Sequence, residues 1–89
     1  MKVKDNFWLR QVADTWVVLP VDDSVVDLNR MLTLKGSGAM LWKLLETGAT
    51  TEILTDALIT KYEVDREQAA ADVESFLQVL AHAGCIEND

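Results

Sequence analysis

Between Leu34 and Leu54 the chain reads LKGSGAMLWKLLETGATTEIL, and this stretch restricts the possible folds more than any other. It holds a strand exit, a helix anchored by an aromatic residue, a glycine stop and the start of a second helix. Strand must therefore give way to helix near Gly36, and the two helices must meet at a very short turn. Gly38, Leu41, Trp42 and Leu45 recur at the spacing of one helical face, which places Trp42 in the core, and Gly48 suits the left-handed residue that ends a helix. Thr50 is a favoured N-cap type with Glu52 in the first turn, and Leu54, Ala57, Leu58 and Tyr62 form the buried stripe of the second helix. A third helix opens at Asp65, with Gln68 three positions on as in a capping box, and runs to Ala83 before stopping at Gly84. Its stripe is Ala69, Val73, Phe76, Leu77 and Leu80. Asp72, Ser75 and Val79 lie on its flank, and Glu74, Gln78 and His82 face solvent.

The first third of the chain reads as strands. Phe7 to Val12 and Thr15 to Val21 are rich in aromatic and β-branched residues, and Ala13-Asp14 between them closes a hairpin. Pro20 favours an edge or a strand end. After a polar break at Val21-Asp22-Asp23-Ser24, the segments Val25 to Leu28 and Met31 to Leu34 flank Asn29-Arg30, a pair suited to a second tight turn. Three to four short antiparallel strands followed by three helices make an α+β fold. Along the first hairpin, Phe7, Leu9, Val17 and Leu19 are expected on one face and Trp8, Val12, Trp16 and Val18 on the other. Both faces are apolar. One packs on helices, and the other is either covered by a loop, a terminus or a twin subunit, or is a binding surface.

Eighty-nine residues suffice for one domain, spanning 1–89, and a hydrophobic share of 49% with 26% charged residues lets it form its own core. Fifteen acidic against eight basic side chains give a net charge of −7, a field that repels phosphate backbones and counts against nucleic-acid binding. No apolar run is long enough for a membrane span and the N-terminus lacks a signal-peptide pattern, so the expected location is cytoplasmic. The single Cys85 reads as a small buried hydrophobe.

Nothing in the residue set makes an enzyme. His82 sits near a helix end without a fitting partner, and the acids Asp22, Asp23, Glu87 and Asp89 belong to turns or tails where carboxylates are solvated. No His/Cys cluster or calcium-type loop is present, and no cofactor is implied. Gly36-Ser37-Gly38 lacks the length and the Lys-Ser/Thr ending of a phosphate loop, and reads as a tight turn with Ser37 or a neighbour capping the helix. What remains is recognition. The last strand, Met31 to Leu34, reads as an edge beside a long helix, where a peptide can add as a further strand and send alternate side chains into an apolar trough. The same features describe a structural homodimer or a subunit of a larger enzyme. The short turn between two helices also fits a winged-helix DNA-binding regulator, although Glu52 and Asp56 suit a reader helix poorly.

Four blocks in order, LKGSGAMLWKLL, TGATTEIL, YEVD and DVESFLQVLAHAG, resemble the PqqD family, named for its member in pyrroloquinoline quinone synthesis. That family shows Leu-Asn, a small residue, an aliphatic residue and Trp, and later Asp-Val followed by Phe-Leu. Leu34, Gly38, Leu41, Trp42, Asp72, Val73, Phe76 and Leu77 match, and the resemblance runs from about Phe7 to Ile86. Lys35 stands where the family has Asn, so the first helix is expected to lose a side-chain cap. The resemblance implies a winged helix-turn-helix-like, non-catalytic recognition element. Such an element binds the leader of a ribosomally made precursor peptide and delivers it to a modifying enzyme, often a radical S-adenosylmethionine protein. It implies strand pairing at Met31, Leu32, Thr33 and Leu34, and a helix wall of Asp72, Phe76, Val79 and Leu80. Either a monomer or a homodimer is compatible with it.

Overall fold

The computed structural model describes residues 1–22, 25 and 26, and 31–87. Among them the order is β1 (Lys2–Val3), β2 (Phe7–Val12), β3 (Thr15–Asp22), β4 (Val25–Val26), β5 (Leu32–Leu34), α1 (Gly36–Thr47), α2 (Thr51–Tyr62), α3 (Arg66–His82) and β6 (Ile86–Glu87). The α+β architecture is the expected one, an antiparallel sheet followed by three helices.

The central strand is β3. It pairs with β2 along one edge, with Val12 opposite Thr15 across the two-residue turn Ala13-Asp14, and Ala13 takes the positive φ of 55° that such a turn requires. Its other edge carries β5 opposite Trp16, Val17 and Val18, and β4 opposite Val21 and Asp22. This arrangement departs from the expected strand pairing. Since β4 and β5 are both antiparallel to β3, they run in the same direction along one edge instead of doubling back on each other. The turn expected at Asn29-Arg30 lies outside the described residues. The break expected from Val21 onward begins later, because Val21 and Asp22 still belong to β3.

Pro20 is not at an edge strand but inside the central one, buried opposite Phe7. By the alternation of the ladder its nitrogen points to the edge shared by β4 and β5, between Val18 and Val21, the nearest β3 residues paired there. A missing N–H removes no ladder bond between described residues at that point.

The two faces of the hairpin also differ from the expected grouping. Phe7 pairs with Pro20 and Leu9 with Val18, so Phe7, Leu9, Trp16 and Val18 share the inner face while Trp8, Val12, Val17 and Leu19 share the outer one. A two-residue turn makes each pair sum to an odd number, so odd positions of β2 lie beside even positions of β3. The inner face meets Leu41, Trp42 and Leu45 of α1. Phe7 and Trp42 stack edge to face with ring centroids 6.4 Å apart.

The helices end as local chemistry dictates. Thr50 accepts from the Ile53 N–H at 3.1 Å and Asp65 accepts from the Gln68 N–H at 2.8 Å. The Gln68 side chain does not return to Asp65 as a capping box would; its Nε2 donates to Asp72 Oδ1 at 2.9 Å. Gly48 and Gly84 take positive φ where α1 and α3 stop, and α2 ends on Glu63 in the left-handed region. Lys35 gives α1 no side-chain cap, as the departure from the family pattern implies. Tyr62, expected in the buried stripe of α2, is exposed instead. The N-terminal strand closes over the end of the chain, where Lys4 N–H donates to the carbonyl of the buried Cys85 at 2.8 Å and β1 pairs with β6.

Trp42 is fully buried, yet its Nε1 has no hydrogen-bond partner among the described residues. Truncation of Trp42 to Ala is expected to cost about 3–5 kcal/mol in chemical denaturation. Replacement by Phe keeps the ring contact with Phe7 and removes an unpaired donor that itself costs about 1–3 kcal/mol, so it should destabilise markedly less.

Candidate functional site

The direction of each main-chain group at the β5 edge follows from the ladder. In an antiparallel sheet a residue turns its N–H and C=O to the same neighbour, and the next residue turns to the opposite one. Val21 N–H donates to the Asn6 carbonyl at 2.7 Å, toward β2, so Val17 and Leu19 also face β2 while Trp16 and Val18 face β5. Their partners Leu34 and Leu32 therefore turn inward. Thr33, between them, turns its N–H and C=O outward, and no described strand pairs with that side.

The helix wall beside this edge comes from α3. Buried residues Ala69, Val73 and Leu80 mark its inner stripe, and Asp72, Phe76 and Val79 follow at spacings of four and three along the boundary between core and solvent. Gly38 brings wall and strand together. A Cβ built on it would lie 3.3 Å from Phe76 Cε1 and 3.4 Å from Leu34 Cβ, so the two side chains meet over a helix position without a side chain of its own. Next to this junction opens a cleft of about 410 Å³, lined by Ser37, Gly38 and Leu41 of α1, Leu58 and Tyr62 of α2, Val64, and Asp72 and Phe76 of α3, with Lys35 at its rim. Its floor is apolar, and Lys35 and Asp72 put opposite charges on its walls.

The residues singled out from sequence are distributed unevenly over this site. Thr33 is exposed on the open edge, Met31 is exposed just before β5, Leu32 is half-buried and Leu34 is buried. Asp72 is exposed and held by Gln68, Phe76 is half-buried, and Val79 is half-exposed. Leu80 is fully buried, so its side chain shapes the wall from beneath. Lys35, Ser37, Tyr62 and Val64 line the cleft without having been singled out. The signal for Tyr62 was its place at the very end of α2, where the helix runs past its neighbours. Among the described residues no group of His, Cys, Asp and Glu could hold a metal ion, and no helix is long and apolar enough to cross a membrane.

An exposed strand edge, a helix running beside it and an apolar cleft where they meet define a small domain built to receive an extended chain. The model of the family described as coenzyme PQQ synthesis protein D (PqqD) matches residues 15–86, and the chain belongs to that family. Among solved structures, it is similar to TbiB1 in complex with the TbiA(beta) leader peptide, at 29% identity and a TM-score of 0.78, over 100% of this chain and 98% of that one. It is also similar in fold to a lasso peptide synthetase B1 complexed with its leader peptide, at 18% identity and a TM-score of 0.75, over 98% of this chain and 96% of that one. No curated protein matches the chain.

Gly38 tests the junction. Gly38→Val adds methyl groups where a single Cβ already touches Phe76 and Leu34, and is expected to destabilise by about 1–3 kcal/mol. Gly38→Ala should stay within about 1 kcal/mol of the parent, because better helix propensity offsets a small outward shift of the Phe76 ring. Denaturant unfolding of the two variants checks the difference.

Proposed function

We propose that this chain is a single, non-catalytic recognition domain that binds the leader segment of a ribosomally synthesised precursor peptide and presents it to a modifying enzyme, such as a radical S-adenosylmethionine protein. The observation that carries the reading is the outward-facing main chain of Thr33, on an uncovered edge beside the Phe76 and Val79 wall. The leader adds to β5 as a further strand through the main chain of Met31 and Thr33. Its alternate side chains pack on Leu32, Phe76 and Val79, with Leu34 and Leu80 supporting the trough from beneath and Asp72 available to a basic leader residue. Membership of the PqqD family and the full-length likeness to TbiB1, which was solved with a leader peptide, support this reading.

Main-chain pairing gives affinity with little demand on sequence, and the side-chain positions that face the trough give selectivity. The domain needs only to hold the leader while the remainder of the precursor is processed elsewhere. A regulator reading is weaker, since α2 carries Glu52 in its first turn and Asp56 is tied to Arg66 at 2.7 Å, which leaves little on that helix to meet phosphates or base edges.

The test is an amide NMR titration with leader segments of candidate precursors and with duplex DNA. Shifts at residues 31–34 and 72–80 with the leader support capture; shifts confined to residues 50–61 with DNA overturn it. Thr33→Pro deletes the outward donor and is expected to weaken leader affinity about tenfold or more while changing unfolding free energy far less. Val79→Asp, at a half-exposed position, should leave stability within about 0.5 kcal/mol and still reduce leader binding measured by calorimetry.

A further inference from the structure

A second cleft, of about 430 Å³, opens on the other face of α1 from the one that adjoins the β5 edge. Gly36, Met40, Lys43 and Leu44 recur on that face, whereas Ser37, Gly38 and Leu41 look toward α3. Its floor is the half-buried Trp16 ring with Met40 and Leu44, and Tyr62 of α2 forms the partition between the two clefts.

This cleft is positive although the chain as a whole is acidic. The chain has fifteen acidic residues against eight basic ones, yet the described residues lining the cleft include Lys43 and Lys61 and no carboxylate. Among the described residues neither lysine is in an ion pair, whereas Arg66 is paired with Asp56. The Lys43 ammonium lies 4.5 Å from the centroid of the Trp16 ring, a contact that sets the charge of this exposed side chain beside the apolar floor. Gly36, at the uncapped start of α1 with no acidic residue in the first turn, adds to the positive field at the mouth.

We propose that this cleft is a docking site for an acidic segment of a partner protein carrying an aromatic or aliphatic anchor, separate from the strand-addition edge. The anchor packs on Trp16, Met40 and Leu44, and flanking carboxylates meet Lys43 and Lys61. A positive apolar site on a domain of net charge −7 selects such a segment by complementarity and rejects a second copy of the acidic chain. The surface stands independently of leader capture and gives the domain a second point of attachment.

The probe is the peptide acetyl-Glu-Phe-Glu-Glu-amide, titrated into the isotope-labelled full chain, with acetyl-Lys-Phe-Lys-Lys-amide as the charge-reversed control. Amide and indole shifts are expected at Trp16, Met40, Lys43 and Tyr62 with the acidic probe, weakening as salt is raised, and none of comparable size with the basic one. The double variant Lys43→Glu, Lys61→Glu should retain the parent's dispersed spectrum and lose about tenfold in affinity for the acidic probe. Absence of shifts at the cleft, equal response to both probes, or unchanged affinity of the double variant overturns the proposal. Concentration-dependent shifts of the same residues without probe would assign the cleft to self-association instead. Leader affinity of the double variant separates the two surfaces. A value within about twofold of the parent supports a distinct site, and a parallel loss would make the cleft part of the leader groove.

Discussion

The alternation of hydrogen-bond direction along β3 is the constraint from which the rest of the sheet follows. Odd residues of β3 turn to β2, and even ones turn to the edge shared by β4 and β5. Both sides of the central strand are thereby used, which makes β5 the last described strand on its side and forces Thr33 to present its main chain outward. The same alternation lets Pro20 sit inside the central strand, because its nitrogen points into the interval between β5 and β4. A one-residue slip between β3 and β5 would exchange Thr33 for Leu32 or Leu34 at the outer edge and turn the buried Leu34 out of the core.

The inner face of the sheet is committed to stability. Phe7, Val18 and Leu34 pack with Leu41, Trp42 and Leu45, and the N-terminal strand and the α1–α2 turn close the other end, where the Met1 ammonium donates to the Ala49 carbonyl at 3.0 Å. The core leaves the β5 edge and the boundary stripe of α3 uncommitted, and these are the surfaces proposed for leader recognition. Gly38 joins the two functions. Its missing side chain lets Phe76 and Leu34 both close on the first turn of α1, which sets that part of α3 against the core.

The helices and the core were legible in the sequence to a degree that the sheet was not. Helical periodicity over Gly38, Leu41, Trp42 and Leu45 is read from residues close in sequence, and the caps at Thr50 and Asp65 act within one turn, so local chemistry decides them. Strand pairing depends on long-range register. The grouping of Phe7 with Val17 fails because the faces of two paired strands are set by turn length, and the expected pairing of the Val25 and Met31 segments with each other fails because β4 and β5 both pair with β3. The resemblance supplied Thr33, which lies on the open edge of β5, and Asp72, Phe76 and Val79, which lie along one side of α3. Tyr62 and Lys35 read in the sequence as a core residue and a lost cap rather than as cleft residues because the features that place them are tertiary: α2 ends on a left-handed Glu63 with no glycine to announce it, and the cleft exists only once three helices converge.

Amide hydrogen exchange at residues 32–34, followed with and without a bound leader segment, addresses the central claim most directly. Leu32 and Leu34 already donate into the sheet, whereas the Thr33 N–H faces solvent, so leader addition should slow exchange selectively at Thr33 and leave its two neighbours nearly unchanged. Saturating leader with no added protection at Thr33 would contradict strand addition at this edge, wherever else the peptide bound.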